Sequence, residues 1–143
     1  MSTSDPCSYV VDSGLAVVTL HHAPHNLLGP VLMQSLLDTI EQARSAGARA
    51  VLLKSSLRHF SAGADLSLFE AATGGDKGLG VSPVQFLAEL ESFPLPIVAC
   101  VHGVCVGGGF ELALACDFII AARSAKLGSV EVTLGINPLM GAV

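Results

Sequence analysis

The feature that most constrains the fold is the stretch "VHGVCVGGGFELALACD", residues 101–117, where three consecutive glycines precede an apolar segment. Glycine is unfavourable inside regular helices and strands, so Gly107, Gly108 and Gly109 need a geometric reason. A turn from a strand into a helix supplies one, because it lets the backbone approach a ligand and aims free N–H groups outward at the helix start. Such a turn can stabilise a phosphate or a developing oxyanion, or it can be a closely packed connection only.

Glu111 lies in the first turn of this predicted helix, among neighbours that are apolar on every side. We therefore expect its side chain to be buried, which is costly for a carboxylate unless the group is paired or used in chemistry. One interpretation is structural, because a negative charge is favourable near a helix N-terminus. The other is an acid or base beside an oxyanion site.

A second stretch, "HFSAGADLSLF", places small residues from Ser61 to Asp65 in a loop after a buried strand. Small side chains again permit close backbone approach. Taken alone, the pattern is also typical of an ordinary connection between a strand and a helix.

Strand and helix patterns alternate along the chain, which indicates the α/β class. The predicted strands are "SYVVD" and "GLAVVTL" around a turn at residues 12–14, then "RAVLLKS", "IVACV" and "FIIAA". The predicted helices run from Pro30 to Gly47, from Ser82 to Phe93, and from the glycine turn to Cys116. We expect "TGGDKGLG" to be a mobile surface loop.

Composition limits the function classes. The chain has 143 residues, enough for one domain with a core, of which 51% are hydrophobic and only 13% charged. We therefore expect apolar surface covered by an oligomer or a partner segment. The net charge is −5 and no basic stripe occurs, which argues against nucleic acid. The uncharged run 92–110 contains two prolines and four glycines, so we do not interpret it as a membrane span.

The N-terminus lacks the basic and apolar regions of a signal peptide, so we expect a cytoplasmic protein with reduced, mostly buried thiols. These are the four cysteines, Cys7, Cys100, Cys105 and Cys116, none of which forms a C-x-x-C pair. Three histidines lie in one loop without a neighbouring cysteine or carboxylate, and we expect no metal site there. They are His21, His22 and His25.

Three motifs, taken together, resemble the crotonase (enoyl-CoA hydratase/isomerase) superfamily in order and spacing. They are "HFSAGADL" (59–66), "HGVCVGGGFELALACDFIIAA" (102–122) and "LGSVEVTLGINP" (127–138), and the resemblance extends from about Tyr9 to the last residue. It implies a crotonase-like spiral of β-β-α turns, an acyl-coenzyme A thioester as substrate, no cofactor apart from that coenzyme A, and assembly as a trimer or hexamer.

The resemblance also implies roles for residues that match the motifs. The backbone N–H groups of Ala64 and Gly108 would form an oxyanion hole, and Glu111 and Glu131 would hold and activate water. Coenzyme A would be bound by the backbone of the two loops and by His25, which would take the place of a basic residue. The loop positions are Ala62, Ala64, Asp65, Leu66 and Gly108.

We therefore expect an enoyl-CoA hydratase, a lyase that adds water to a 2,3-unsaturated acyl-CoA, since both glutamates are present. Two departures bear on the substrate: Val130 replaces a common proline, and "INPLMGAV" replaces a P-G-x-G-G type of turn. The alternatives are an enoyl-CoA isomerase or another crotonase reaction (dehydration or thioester hydrolysis), or a non-catalytic acyl-CoA-binding or assembly chain. Residues 1–143 are expected to form a single domain without the C-terminal helical part of the family.

Overall fold

The computed structural model describes residues 5–68, 80–138 and 140. Its strands are β1 (Cys7–Asp12), β2 (Leu15–Leu20), β3 (Ala50–Ser55), β4 (Ile97–Val101), β5 (Val104–Val106), β6 (Phe118–Ala121) and β7 (Lys126–Gly128). Its helices are α1 (Pro30–Ser45), α2 (Pro83–Glu91), α3 (Gly108–Leu114) and a 3₁₀ helix at Glu131–Leu134. The loop predicted at "TGGDKGLG" lies outside the described residues except for Gly80.

Two sheets are built as the chain winds forward. The main sheet has the order β1-β2-β3-β4-β6, with β1 and β2 antiparallel and every other pair parallel. The second sheet pairs β5 with β7 in parallel, and an isolated bridge joins Ser61 to Cys105 of β5. Successive turns of the chain thus extend both sheets, and β1-β2-α1 and β4-β5-α3 are β-β-α units. The predicted spiral is confirmed.

The first hairpin follows from its two turn residues. Ser13 and Gly14 both have positive φ, at 52° and 85°, and the register pairs Asp12 with Leu15. Two central residues with positive φ match the right-handed twist of the strands that they connect. The strands predicted around this turn are confirmed.

Helix α1 begins with a proline, a residue that is favourable in the first turn of a helix. Pro30 occupies its first turn behind Gly29 as N-cap. Its inner face is buried as its 3.6-residue period predicts, with the residues Leu32, Met33, Leu36, Ile40 and Ala43 in the core. Leu37 is only half-buried. The helix ends at Ser45, and Gly47 follows with a φ of 93°.

Helix α2 begins with a side-chain cap. The Ser82 hydroxyl accepts a hydrogen bond from the backbone N–H of Gln85 at 3.2 Å, and Pro83 follows the cap. The helix ends at Glu91 rather than at Phe93. At that end the Ser92 hydroxyl donates to the carbonyl of Ala88 at 2.8 Å, so the side chain bonds the last turn in place of further helix.

Strands β5 and β7 and the 3₁₀ helix are not anticipated by the sequence patterns, and α3 ends at Leu114 rather than at Cys116. The two strands have three residues each. They are defined by pairing with each other, Val104 opposite Lys126 and Val106 opposite Gly128, and not by a local alternation of apolar and polar residues.

The last strand of the main sheet, β6, lies at its edge and is exposed. Phe118 and Ile120 are 66% and 62% exposed, and Ile119 is 37% exposed. Among the described residues, no helix is long and apolar enough to cross a membrane.

The four thiols are free, and three of them are buried: Cys7, Cys105 and Cys116. Burial raises the pKa of each of these three thiols to about 12. Cys100 is half-buried. No cluster of three or more potential metal-ligating side chains occurs in the part of the chain that the structure describes.

The thiol environments give a labelling prediction. In the native protein at about pH 8, iodoacetamide should modify Cys100 well before the three buried thiols, because the thiolate is the reactive form. Labelling of the buried three should stay slow up to about pH 10, since their protons are retained below the raised pKa of about 12. Peptide mass mapping gives the order, and the chain unfolded in urea is the control. Equal rates for all four native thiols would contradict the described burial.

Candidate active site

The first glycine of the turn has a conformational reason to be glycine. Gly107 has a φ of 53°, in the left-handed region that side chains disfavour, and is the N-cap of α3. A Cβ atom on Gly107 would also lie 3.0 Å from Oε1 of Glu131. Its N–H donates to the carbonyl of Gly128 at 3.1 Å, which ties the turn to β7.

The third glycine is required by packing. A Cβ atom on Gly109 would lie 2.6 Å from both Cβ and Oγ of Ser61, and 2.8 Å from its carbonyl oxygen. Helix α3 therefore contacts the second small-residue loop directly. Since backbone atoms are part of this contact, rearrangement of a side chain alone would not relieve it.

The middle glycine lies beside Ala64. A Cβ atom on Gly108 would be 3.4 Å from the amide nitrogen of Ala64 and 3.6 Å from its Cβ atom. Conversely, a Cβ atom on Gly63 would be 4.0 Å from the amide nitrogen of Gly108. Among residues 5–68, 80–138 and 140, neither the Ala64 N–H nor the Gly108 N–H has a hydrogen-bond acceptor. The two loops thus bring two unused amide donors next to each other.

The loop that carries Ala64 is held rigidly on its other side. The N–H of Leu28 donates to the carbonyl of Gly63, and the N–H of Asp65 donates to the carbonyl of Leu28, each at 2.8 Å. The N–H of Ala62 donates to the carbonyl of His25 at 3.0 Å. Backbone contacts from Ala62 or Asp65 to a ligand would therefore use their carbonyl oxygens.

Asn26 fixes the same loop, and the sequence interpretation missed it. Its side chain is fully buried and its φ is 50°. Its amide group donates to the Ser55 hydroxyl at 2.8 Å and to the carbonyl of Phe60 at 3.0 Å. Its backbone carbonyl oxygen accepts from the hydroxyl of Ser61 at 2.7 Å. The only local signal would have been an asparagine in a polar loop, two residues after a proline, because asparagine tolerates positive φ better than most residues.

Glu111 is buried as predicted, with 2% exposure in the first turn of α3. Its two carboxylate oxygens each accept the backbone N–H of Met140 at 3.2 Å. This contact compensates part of the cost of burying a carboxylate.

Glu131, at the start of the 3₁₀ helix, is also buried, with 6% exposure. Its Oε2 accepts a hydrogen bond from the Ser129 hydroxyl at 2.8 Å, while its Oε1 faces Gly107. The two predicted acid/base residues therefore both border the glycine turn, although they come from different elements.

Met140 is the second residue that the sequence interpretation missed. It is 1% exposed, and its sulfur would lie 2.8 Å from a Cβ atom on Gly108. The departure from the P-G-x-G-G pattern pointed to its segment, but nothing local indicated that this side chain reaches the glycine turn.

The remaining predicted coenzyme A contacts are at the surface. Leu66 is 75% exposed and His25 is exposed, with its ring centroid 5.9 Å from that of His59. The Asp65 carboxylate accepts the N–H of Ser67 at 2.8 Å, and hydrogen bonds from Ser67 lower the pKa of Asp65. Their part in binding coenzyme A stays a prediction.

The sequence profile of the enoyl-CoA hydratase/isomerase family matches residues 11–143. A Bacillus subtilis protein named "Probable enoyl-CoA hydratase" is 41% identical over 134 residues, covering 92% of this chain and 52% of its own. The human mitochondrial enoyl-CoA hydratase domain-containing protein 2 is 37% identical over 91% of this chain and 46% of its own. The chain belongs to the enoyl-CoA hydratase/isomerase family, within the crotonase superfamily.

Solved structures agree on the fold. An enoyl-CoA hydratase from Shewanella pealeana matches with a TM-score of 0.79 at 27% identity, over 94% of this chain and 53% of its own. The Mtb enoyl-CoA isomerase matches with a TM-score of 0.82 at 27% identity, over 94% of this chain and 59% of its own. The chain spans about half the length of the curated relatives that it matches.

The packing of α3 gives a stability prediction. Gly109→Ala should lower the free energy of unfolding by about 1–3 kcal/mol, because the new methyl group would overlap Ser61. Gly128→Ala is the matched control, since nothing lies within 4 Å of a Cβ atom there, and it should change stability by less than about 0.5 kcal/mol. Urea unfolding measures both. Equal stability of the two variants would show that α3 does not contact Ser61 so closely.

Proposed function

We propose that the chain is the part of an enoyl-CoA hydratase that carries its catalytic groups, and that it adds water to a 2,3-unsaturated acyl-CoA. The observation that supports this proposal best is the adjacency of the N–H groups of Ala64 and Gly108, which have no acceptor within the described part of the chain, at a turn bordered by two buried glutamates. Two donors and two carboxylates around one turn match the requirements of hydration.

The two amides would bind the thioester oxygen. Attack of water at C3 of the substrate moves negative charge onto that oxygen, so donors already held in place stabilise the enolate-like state. The loop of Ala64 is fixed through Leu28, and Gly108 is fixed through the packing of α3, so little reorganisation is needed. Loss of one such donor would raise the barrier by about 3 kcal/mol.

The glutamates would handle the protons. One glutamate, as a carboxylate, takes a proton from water as the water oxygen bonds to C3, and the other, as a carboxylic acid, delivers a proton to C2 as the enolate-like state collapses. The net change in the substrate is OH at C3 and H at C2. The first glutamate is then protonated and the second ionised, and proton exchange with solvent restores their starting states. Glu111 and Glu131 can share these roles because both border the glycine turn.

Hydration transfers no electrons, so we propose that coenzyme A takes part only as a portion of the substrate. The loop at 62–66, in which Leu66 is exposed, together with His25 would contact it, as the family resemblance implies. Assembly as a trimer or hexamer and a cytoplasmic location stay predictions from the sequence.

A second candidate reaction is isomerisation of a 3-enoyl to a 2-enoyl thioester through the same oxyanion hole. It needs only one proton carrier, and Glu131 is placed for that role because its Oε1 faces Gly107, while both oxygens of Glu111 contact the N–H of Met140. That carboxylate would remove a proton from C2 and return it to C4 while the double bond moves. A third candidate, acyl-CoA binding without turnover, uses the same contacts.

Variants of the glutamates test the assignment. With crotonyl-CoA, Glu111→Gln and Glu131→Gln should each lower kcat by about 100- to 10,000-fold, the range typical of general acid–base catalysis. Loss of the absorbance of the conjugated thioester reports the rate. Glu91→Gln, at an exposed position at the end of α2, is the matched control and should keep full activity.

The outcomes separate the candidates. Turnover that survives in the Glu111→Gln, Glu131→Gln double variant would remove the acid/base assignment. Gain of conjugated absorbance from 3-butenoyl-CoA, lost in Glu131→Gln but kept in Glu111→Gln, would identify the isomerase. Binding of butanoyl-CoA in calorimetry with neither reaction would leave a binding function.

A further inference from the structure

Met140 occupies a position that the proposed chemistry does not use. Its side chain and its backbone lie at two different ends of the proposed reaction centre, next to Gly108 and Glu111 respectively. We propose that Met140 is a specificity-determining residue whose thioether excludes enoyl thioesters that are branched at C2. This inference rests on the proposed acyl-CoA function.

The side chain borders the proposed oxyanion hole. One point, the place of a Cβ atom on Gly108, lies 2.8 Å from the Met140 sulfur and 3.4 Å from the amide nitrogen of Ala64. The thioether is therefore next to the position of the substrate carbonyl. Met140 is 1% exposed, so the sulfur fills interior volume.

The backbone of Met140 is held at the other end. Its N–H contacts both oxygens of Glu111 at 3.2 Å, and that carboxylate is the group proposed to act on the water at C3 or on C2. Because the carbonyl end and the acid end of the reaction are both in contact with this one residue, the carbons C1 to C3 of a bound acyl group lie along it. The backbone cannot withdraw without giving up the bond to Glu111.

A methyl group at C2 would compete with the thioether for space. Protein interiors are close-packed, so one additional methyl group in a filled site is resisted. Discrimination by one carbon in an apolar pocket typically amounts to about 10- to 200-fold. A hydrogen at C2 makes no such demand.

Met140 should restrict the length of the acyl group much less than it restricts branching at C2. A groove of about 650 Å³ lies between α3 and the 3₁₀ helix, and its apolar lining includes Phe110, Leu114, Val132 and Pro138. The groove offers apolar surface to the tail of an unbranched acyl group. Met140 therefore acts on substituents at C2, and not on the length of the tail.

Paired ligands test this inference by calorimetry. The wild-type chain should bind butanoyl-CoA at least about 10-fold more tightly than 2-methylbutanoyl-CoA, and hexanoyl-CoA within about threefold of butanoyl-CoA. Met140→Ala should reduce the preference for the unbranched ligand to about threefold or less. Met140→Leu, of similar volume, should retain it, and Met140→Val should fall between. Melting curves show which variants fold.

Each outcome bears on the proposal. If the folded wild-type chain binds the branched and unbranched ligands equally, the inference is wrong, whatever the variants do. The same holds if Met140→Val and Met140→Ala fold and keep the full wild-type preference. Discrimination without turnover of crotonyl-CoA would support the role of Met140 and reject hydration. No binding of any acyl-CoA would reject both.

Discussion

The contact between two loops of small residues is the constraint on which the site depends. Helix α3 can approach the loop at 59–66 only because Gly109 has no side chain to overlap Ser61. The same approach brings Gly108 beside the amide nitrogen of Ala64. One packing contact thus sets the separation of the two proposed donors, and the hydrogen bonds of Leu28 and Asn26 hold the opposite side of that loop.

The two buried carboxylates are partly compensated for their loss of solvent and can still accept hydrogen bonds. Each is almost fully removed from solvent, and each has a hydrogen-bond donor from a residue outside its own helix, Met140 for Glu111 and Ser129 for Glu131. A carboxylate offers about four acceptor positions, so the bond from Met140 or from Ser129 does not by itself fill them. That remaining capacity is what a bound water would use in the proposed reaction.

Features that depend on neighbouring residues could be predicted from the sequence, whereas features that depend on contacts between residues far apart in the sequence could not. The glycine run, the burial of Glu111 and the cap at Ser82 follow from residue type and spacing. Strands β5 and β7 exist because each pairs with the other across some twenty residues. Likewise, the contact of Met140 with Gly108 joins residues that no periodicity connects. The roles of the site residues came from family resemblance and not from patterns in this chain alone.

The edge strand β6 has a practical consequence. Phe118 and Ile120 project largely into solvent from a strand that has a neighbour, β4, on one side only in the described sheet. Unpaired backbone groups next to apolar side chains promote intermolecular strand addition. Because strand addition joins two molecules, it should become more frequent as the protein concentration rises. Dilute samples and mild surfactants should therefore keep the chain in solution, whereas concentrating it should produce β-rich precipitate.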